Sequence, residues 1–352
     1  MLTLEKRISA FTRLGELLTA FLNYNTDNDS LPAFVTLRKA IHQAEAENPW
    51  FTADNIRMAL SSLAGCLDEK TINKWLSHYP VTKMERSAPK TVAVIMAGNI
   101  PLVGFHDLLC VIMSGHSILC KLSSDDMVLL PVIADLLIET EPALQEMIRF
   151  SDQQLIGFNA VIATGSNNTA RYFEYYFSSY PLIIRKSRTS IAVLSGNETK
   201  DELKGLCTDI FSYFGLGCRN VSKILVPKGY DFQHFLELAS GYRHLFMHNK
   251  YFNNYEYYKS IFLINSVEFY DNNVLMLTRE KSLFSPVSVL YYDYYEEKQQ
   301  LIEYLDENRE KLQCIVSGIH DISGAIPFGK AQFPELRDYA DGLDTMRFLT
   351  AL

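Results

Sequence analysis

The stretch TVAVIMAGNIP, Thr91 to Pro101, decides the fold. Its first six residues are an unbroken apolar run rich in β-branched side chains, which predicts a short buried strand. The turn AGNIP follows, then LVGFHDLLCVIM, spaced as a helix and closed by Ser114-Gly115. The same succession repeats downstream. SILCKL (117–122) predicts a second strand, and SSDD caps a helix that runs to roughly Leu137. NAVIAT (159–164) predicts a third strand, followed by GSNN and a helix to about Ser178. Strands alternating with helices at this spacing imply a parallel sheet with helices on both faces. Ligands bind such sheets at the carboxyl edge.

Upstream of Thr91 the pattern is helical. Ile8, Phe11, Leu14, Leu17, Leu18 and Phe21 recur at three- and four-residue spacing. Further helices are predicted within 31–47, from FTADNIRMALSSLAGCL with Thr52 or Asp54 as N-cap, and from DEKTINKWLSHYP up to Pro80. Downstream, a second αβ stretch begins near Ser190. SIAVL, VSKILVP, VLMLT, VSVLYY and CIVSGI read as strands. ETKDELKGLCTDIFSYF, DFQHFLELASGY capped by Asp231, and a charged segment over about 295–311 read as helices. The aromatic run YFNNYEYYKS reads as turns at a surface or interface, too short for a nucleic-acid stacking platform.

Composition narrows the function. The 352 residues suffice for two domains, and a net charge of −8 supplies no basic field for nucleic acid. The N-terminus mixes Glu5, Lys6, Arg7, Arg13 and Glu16 among apolar residues, unlike a signal peptide, and no apolar run approaches a membrane span. A cytoplasmic location is the expectation. The six cysteines, Cys66, Cys110, Cys120, Cys207, Cys218 and Cys314, form no CxxC pair, so neither a metal site nor a disulfide framework is indicated. Five of them are expected as buried small hydrophobes.

Cys218 is the exception. In FGLGCRN it follows Gly215 and Gly217, which let the backbone pass close to a substrate, and precedes Arg219, a source of positive potential for a thiolate. A following helix or turn is expected to add to that potential. Asn99, in the AGNIP turn fixed by Pro101, carries a two-proton amide. With the Cys218 backbone N–H it makes an adequate oxyanion hole. Lys121 ends a strand at the ligand edge, and Ser166, after Gly165, stands at a helix N-terminus suited to phosphate. His106 and His116 are candidate proton donors by residue type alone.

Four motifs, AGNIP (97–101), SILCKLSSDD (117–126), IATGSNN (162–168) and FGLGC (214–218), occur in one order along the chain. Together they resemble the aldehyde dehydrogenase superfamily. A closer resemblance, over roughly residues 50–350, is to acyl-CoA reductases of the bacterial luminescence (LuxC) type, carried by AGNIP with FGLGCRNVSK and supported by SRTSIAVL and DGLDTMRFL. The resemblance implies an α/β aldehyde dehydrogenase-like fold: a helical N-terminal segment (1–85), a Rossmann-type cofactor domain (86–195), a catalytic cysteine domain (196–320) and a C-terminal segment (321–352) returning to the cofactor domain or to a subunit interface. It implies Cys218 as nucleophile, Asn99 as oxyanion donor, Lys121 on the adenosine ribose, and Gly165 and Ser166 near the pyrophosphate. Ser124 stands where the superfamily commonly carries an acid that excludes a 2′-phosphate. The cofactor expected is therefore NADPH, with NADH as the alternative.

Two departures shape the expected activity. The stretch YPLIIRKSRTS lacks the glutamate that activates water in aldehyde-oxidising members, and SLFSPV (282–287) has serine in place of the glutamate that grips the nicotinamide ribose. A reductase gains from keeping water off its thioester. The expected reaction is reduction of an acyl-CoA to an aldehyde, with a homodimer or a partner acyl-transfer enzyme as possible associates. The alternatives are an NAD(P)-dependent semialdehyde dehydrogenase and a non-redox acyl-transferring or scaffold subunit.

Overall fold

β1 (Thr91–Ile95) is the central strand of a five-stranded, wholly parallel sheet in a computed structural model that describes residues 2–24, 31–80 and 88–352. The sheet order is β3-β2-β1-β4-β5, with β2 at Ser117–Lys121, β3 at Ile148–Phe150, β4 at Ala160–Thr164 and β5 at Leu182–Arg185. Val92, Ala93 and Val94 of β1 and Ala160 to Ala163 of β4 are buried, as strands covered on both faces must be. Three of these strands match the sequence reading. NAVIAT is the fourth in the chain because β3, only three residues long, precedes it. β5, LIIR, is only four residues long and ends in arginine, so no strand is read there.

The chain steps from β1 to β2 to β3 in one direction and from β4 to β5 in the other. Right-handed crossovers put α5 (Phe105–Met113) and α6 (Leu129–Thr140) on one face and α7 (Asn167–Tyr176) on the opposite face. The first face is covered further. α1 (Leu4–Asn23) packs on α3 (Ala53–Cys66), α5 and α6, and α2 (Pro32–Glu47) packs on α6. α1 buries Ile8, Phe11, Leu14, Leu18 and Phe21 of the stripe read from the sequence and leaves Leu17 half-buried. Thr52 caps α3 through the Asn55 amide. α4 (Glu69–Leu76) is capped by Asp68 and ends before the expected Pro80.

Two compact units divide the chain: Met1–Lys186 with Glu335–Leu352, and Ser187–Pro334. The sequence reading drew these boundaries at 195 and 320. β6 (Thr189–Val193) pairs with β7 (Val221–Pro227) and β11 (Leu312–Ser317), so it joins the second sheet. The boundary expected between 85 and 86 lies outside the described residues. The terminal helix α12 (Thr345–Ala351) packs on α5.

The second unit is built on a seven-stranded sheet ordered β12-β11-β6-β7-β10-β9-β8. β8 spans Phe269–Asp271, β9 Met276–Arg279, β10 Val289–Tyr295 and β12 Ala325–Ile326. The β8–β9 pair is antiparallel and the other pairs are parallel. α8 (Lys200–Phe211) begins with a capping box between Thr199 and Glu202. α9 covers Gln233–Ala239 and α11 Lys298–Glu307. YFNNYEYYKS lies in a helix, α10 (Asn249–Ile264), rather than in turns. Tyr251 and Tyr255 are buried there, with hydroxyls on the Val274 carbonyl and the Asp271 carboxylate.

Candidate functional site

In the first unit, all five candidates fall on the carboxyl edge of the sheet. Asn99 follows β1, Lys121 ends β2 with Ser124 three residues on, and Gly165 and Ser166 follow β4. β1 and β4 are neighbours from which the chain departs in opposite directions, so the edge between them is the topological switch point. Both turns leave little room for a Cβ, least at Gly98. A Cβ at Gly98 would lie 2.6 Å from Ser123 Cβ, and one at Gly165 would lie 3.0 Å from the Phe173 ring and 3.1 Å from Thr169. The backbone there is stripped of side-chain bulk at the place where a dinucleotide binds in such sheets, and an ammonium stands one strand away. These residues fit that group.

The turn bearing Asn99 is held from behind. Leu102 adopts a left-handed φ of 59°, costly for a branched residue, and its amide donates to Asp126 Oδ2 at 2.9 Å. Burial pushes the Asp126 carboxyl up to about 6. The Asn48 amide of the α2 cap donates to the Asp125 carbonyl at 3.1 Å. α6 starts at Leu129 after Val128, which makes no side-chain cap, and of SSDD only Asp126 meets the helix start, through the Leu129 amide. The same aspartate braces the neighbouring turn, a role a local reading could not find because Leu102 is 24 residues away in sequence. Asn99 and Ser124 are exposed.

Other expectations meet specific geometry. Lys121 Nζ donates to the carbonyls of Asp152 and Gln153, after β3. The Ser166 hydroxyl is the N-cap of α7, accepting from the Thr169 amide at 3.1 Å. His106 Nε2 meets the Leu336 carbonyl and His116 Nε2 the Leu349 carbonyl, while His116 Nδ1 accepts from the Lys90 amide. Both histidines anchor the C-terminal segment, and burial lowers the pKa of each. Arg185 forms a buried two-pronged pair with Asp107 at 2.6 and 2.7 Å and donates to Thr345 of α12.

In the second unit, Cys218 stands on a turn between α8 and β7. Of the helix or turn expected here, it is a turn: the Asn220 amide donates to the Gly217 carbonyl at 3.0 Å, and Asn220 leads directly into β7. The approach to it is left-handed at three successive residues, Tyr213 (φ 51°), Phe214 (φ 56°) and Gly215 (φ 79°). Such a path leaves helix-end carbonyls without partners. Asn220, buried, supplies them: Nδ2 donates to the carbonyls of Asp209, Ile210 and Ser212, and Oδ1 accepts from the Gly217 amide at 2.8 Å. Ser190 Oγ in β6 donates to the Cys218 carbonyl at 2.9 Å. Cys218 is thus fixed through its backbone on both sides.

Three of the other thiols separate clearly from it. Cys110, Cys120 and Cys207 are buried, and burial raises all three thiols, that of Cys207 to about 12. Cys66 and Cys314 are half-buried rather than buried as expected, and Cys314 Sγ lies 3.0 Å from Ser190 Oγ. Arg219 turns its Nε to the Ala331 carbonyl at 2.5 Å. In the SLFSPV run, the Leu283 carbonyl accepts from Ser222 Oγ at 2.6 Å. Lys223, fully buried, donates to the carbonyls of Glu280 and Lys281 just before it.

The family model for acyl-CoA reductase (LuxC) matches residues 16–239, well over half the chain and inclusive of both the Asn99 and the Cys218 turns. The chain belongs to the LuxC acyl-CoA reductase family. It is accordingly an oxidoreductase acting on aldehyde or acyl groups. The match starts earlier than the resemblance seen at residue 50 and stops at 239. Solved aldehyde dehydrogenases share the fold. Aldehyde dehydrogenase 21 of Physcomitrella patens, solved with succinate, matches with a TM-score of 0.67 at 9% identity, over 100% of this chain and 84% of its own. An indole-3-acetaldehyde dehydrogenase of P. syringae, solved with NAD+ and IAA, gives 0.62 at 13% identity, over 94% and 75%. A Mycobacterium tuberculosis aldehyde dehydrogenase complexed with NAD+ gives 0.62 at 10%, over 91% and 74%. No curated protein sequence matches the chain. Among the described residues no helix is long and apolar enough to cross a membrane.

Proposed function

We propose that this LuxC-family protein reduces an acyl-CoA thioester to the aldehyde with NADPH, through a thioester on Cys218. The observation that carries the reading is the turn of Cys218: a half-exposed thiol on a left-handed path, fixed by Asn220 and Ser190, where three other thiols are sealed in the core.

Cys218 thiolate attacks the acyl carbonyl, and CoA leaves as its thiolate and takes up a proton. The Asn99 amide and the Cys218 N–H hold the oxyanion in that step and again when the acyl carbon is reduced. Reduced nicotinamide, when bound, supplies the hydride. Collapse of the resulting thiohemiacetal expels the Cys218 thiolate and releases the aldehyde. The electron balance is one acyl-CoA, one NADPH and one proton to aldehyde, CoA and NADP+.

Lys121, Ser124, Gly165 and Ser166 are assigned to the cofactor. The Ser166 hydroxyl is already engaged as a cap, so its part is to order the first turn of α7, whose positive dipole end suits a phosphate. Ser124, exposed and uncharged, leaves room for a 2′-phosphate. Absence of an acid from YPLIIRKSRTS leaves the thioester without a base to activate water, which favours reduction over aldehyde oxidation.

The test is incubation with acyl-CoAs of several chain lengths and either NADPH or NADH, with product identified by mass spectrometry. Aldehyde formed faster with NADPH supports the reading. Hydrolysis to free acid, or turnover of an aldehyde to an acid without CoA, contradicts it.

A further inference from the structure

Asp209 is fully buried in the last turn of α8, and neither the fold nor the reaction described above accounts for a carboxylate there. Placing an ionised group in the interior is costly unless each oxygen is satisfied. Here each oxygen takes one backbone amide. Oδ2 accepts from Gly329 at 2.6 Å and Oδ1 from Ala331 at 3.0 Å. The Ala331 carbonyl in turn accepts from Arg219 Nε at 2.5 Å, and Arg219 is the residue after Cys218. Asp209 also reaches the turn by a second route, since its own carbonyl accepts from Asn220 Nδ2 at 3.1 Å.

The segment it grips lies directly on α8. A Cβ on Gly205 would come within 2.8 Å of the Phe328 carbonyl carbon, and Gly329, with φ of 79°, would bring its own Cβ to 3.1 Å from Gly205 Cα. Two glycines back to back let backbone meet backbone. The 328–331 segment is therefore a rigid strut between helix α8 and the Arg219 side chain.

We propose that Asp209 is a positioning residue for the reaction: through the 329–331 strut it fixes Arg219, and with it the turn on which Cys218 stands. The inference rests on the reading of Cys218 as nucleophile. Burial pushes the Asp209 carboxyl up to about 6, while the Gly329 and Ala331 amides and, least of the three, the positive charge of Arg219 draw it back toward the ionised form. Arg219 is thus tied to Asp209 both through the strut and by charge. A carboxylate offers two acceptors to two amides. A carboxamide of the same shape offers one acceptor and sets a donor against the other amide.

The test compares wild type, Asp209→Asn, Arg219→Gln and the double variant. Acylation of Cys218 by acyl-CoA is followed by intact mass without reductant, and alkylation of Cys218 by iodoacetamide is followed separately. Each single variant should lose about 10- to 100-fold in kcat, the scale of a misplaced reacting group, with KM for acyl-CoA changed by less than about threefold. Alkylation should slow in parallel, and the double variant should lose no more than the worse single one. The proposal is overturned if Asp209→Asn lowers the melting temperature while acylation and alkylation keep their wild-type rates, or if the two losses multiply. Arg219→Gln, which changes a half-exposed side chain, decides the matter if Asp209→Asn does not fold. A wild type never acylated would sink the nucleophile reading, while alkylation would still measure the effect of the strut.

Discussion

Asn220 Oδ1 and the Gly217 amide lie 2.8 Å apart, and the bond between them closes a loop around Cys218. The same side chain donates to three carbonyls at the end of α8, so one buried amide stabilises a left-handed path that Tyr213 and Phe214 would not adopt alone. Asn220→Ala leaves those carbonyls and the Gly217 amide without partners in the interior. It should cost about 2 to 4 kcal/mol in urea unfolding. Asn220→Asp should cost more, because a carboxylate repels the three carbonyls that the amide satisfied. An Asn220→Ala variant as stable as wild type would remove this residue from the account.

A second prediction concerns the buried pair of Asp107 and Arg185. The two-pronged contact satisfies the charge of Arg185, which also holds Thr345 and hence α12. Removing only the acid leaves a guanidinium buried without a counter-charge. Asp107→Ala should therefore destabilise by about 3 to 5 kcal/mol. Increased proteolysis near the C-terminus should accompany the loss, and its absence would separate the pair from the docking of α12.

Asp126 makes a prediction in pH. Burial holds its carboxyl up to about 6 in the folded chain. The folded pKa exceeds the unfolded one, so folding favours the protonated form. Its contribution is complete below the unfolded pKa and is lost as pH rises through about 6. Histidines 106 and 116 work the other way, since burial lowers them, so the absolute stability profile mixes both signs. Comparison with Asp126→Asn isolates the aspartate. Relative to wild type, the variant should gain roughly 2 to 3 kcal/mol between about pH 3 and pH 7. A pH-independent difference would mean that Asp126 does not titrate in that window.

Asn99→Ala removes a proposed oxyanion donor from an exposed turn whose backbone is braced elsewhere by Asp126. The expected result is a fall in kcat of about 10²- to 10³-fold with cofactor binding retained. Equal losses in dinucleotide affinity and in kcat would give Asn99 a structural role instead.

Much of this architecture was legible in the sequence because local signals agreed with tertiary ones. TVAVIM and NAVIAT are apolar throughout since both faces of their strands are covered, and the α1 stripe has the helical period of its buried face. What escaped were elements defined by partners distant in sequence. β3 and β5 are three and four residues long and hold their place by pairing with β2 and β4. α10 hid because its aromatic residues are spread around the helix rather than gathered on one face, and only Tyr251, Tyr255 and Phe262 are buried. The turns that carry Cys218 and Asn99, the residues proposed for the site, were visible in the sequence. Asp126, Ser190 and Asp209 were not, since each acts on a backbone group 24 or more residues away.

The central claim is tested most directly by intact-mass analysis after mixing the protein with acyl-CoA in the absence of dinucleotide. The account predicts one acyl adduct, mapped to Cys218 by peptide analysis, absent from Cys218→Ala, and discharged as aldehyde when NADPH is added. An adduct that persists in Cys218→Ala, or that maps to Cys314, would contradict it.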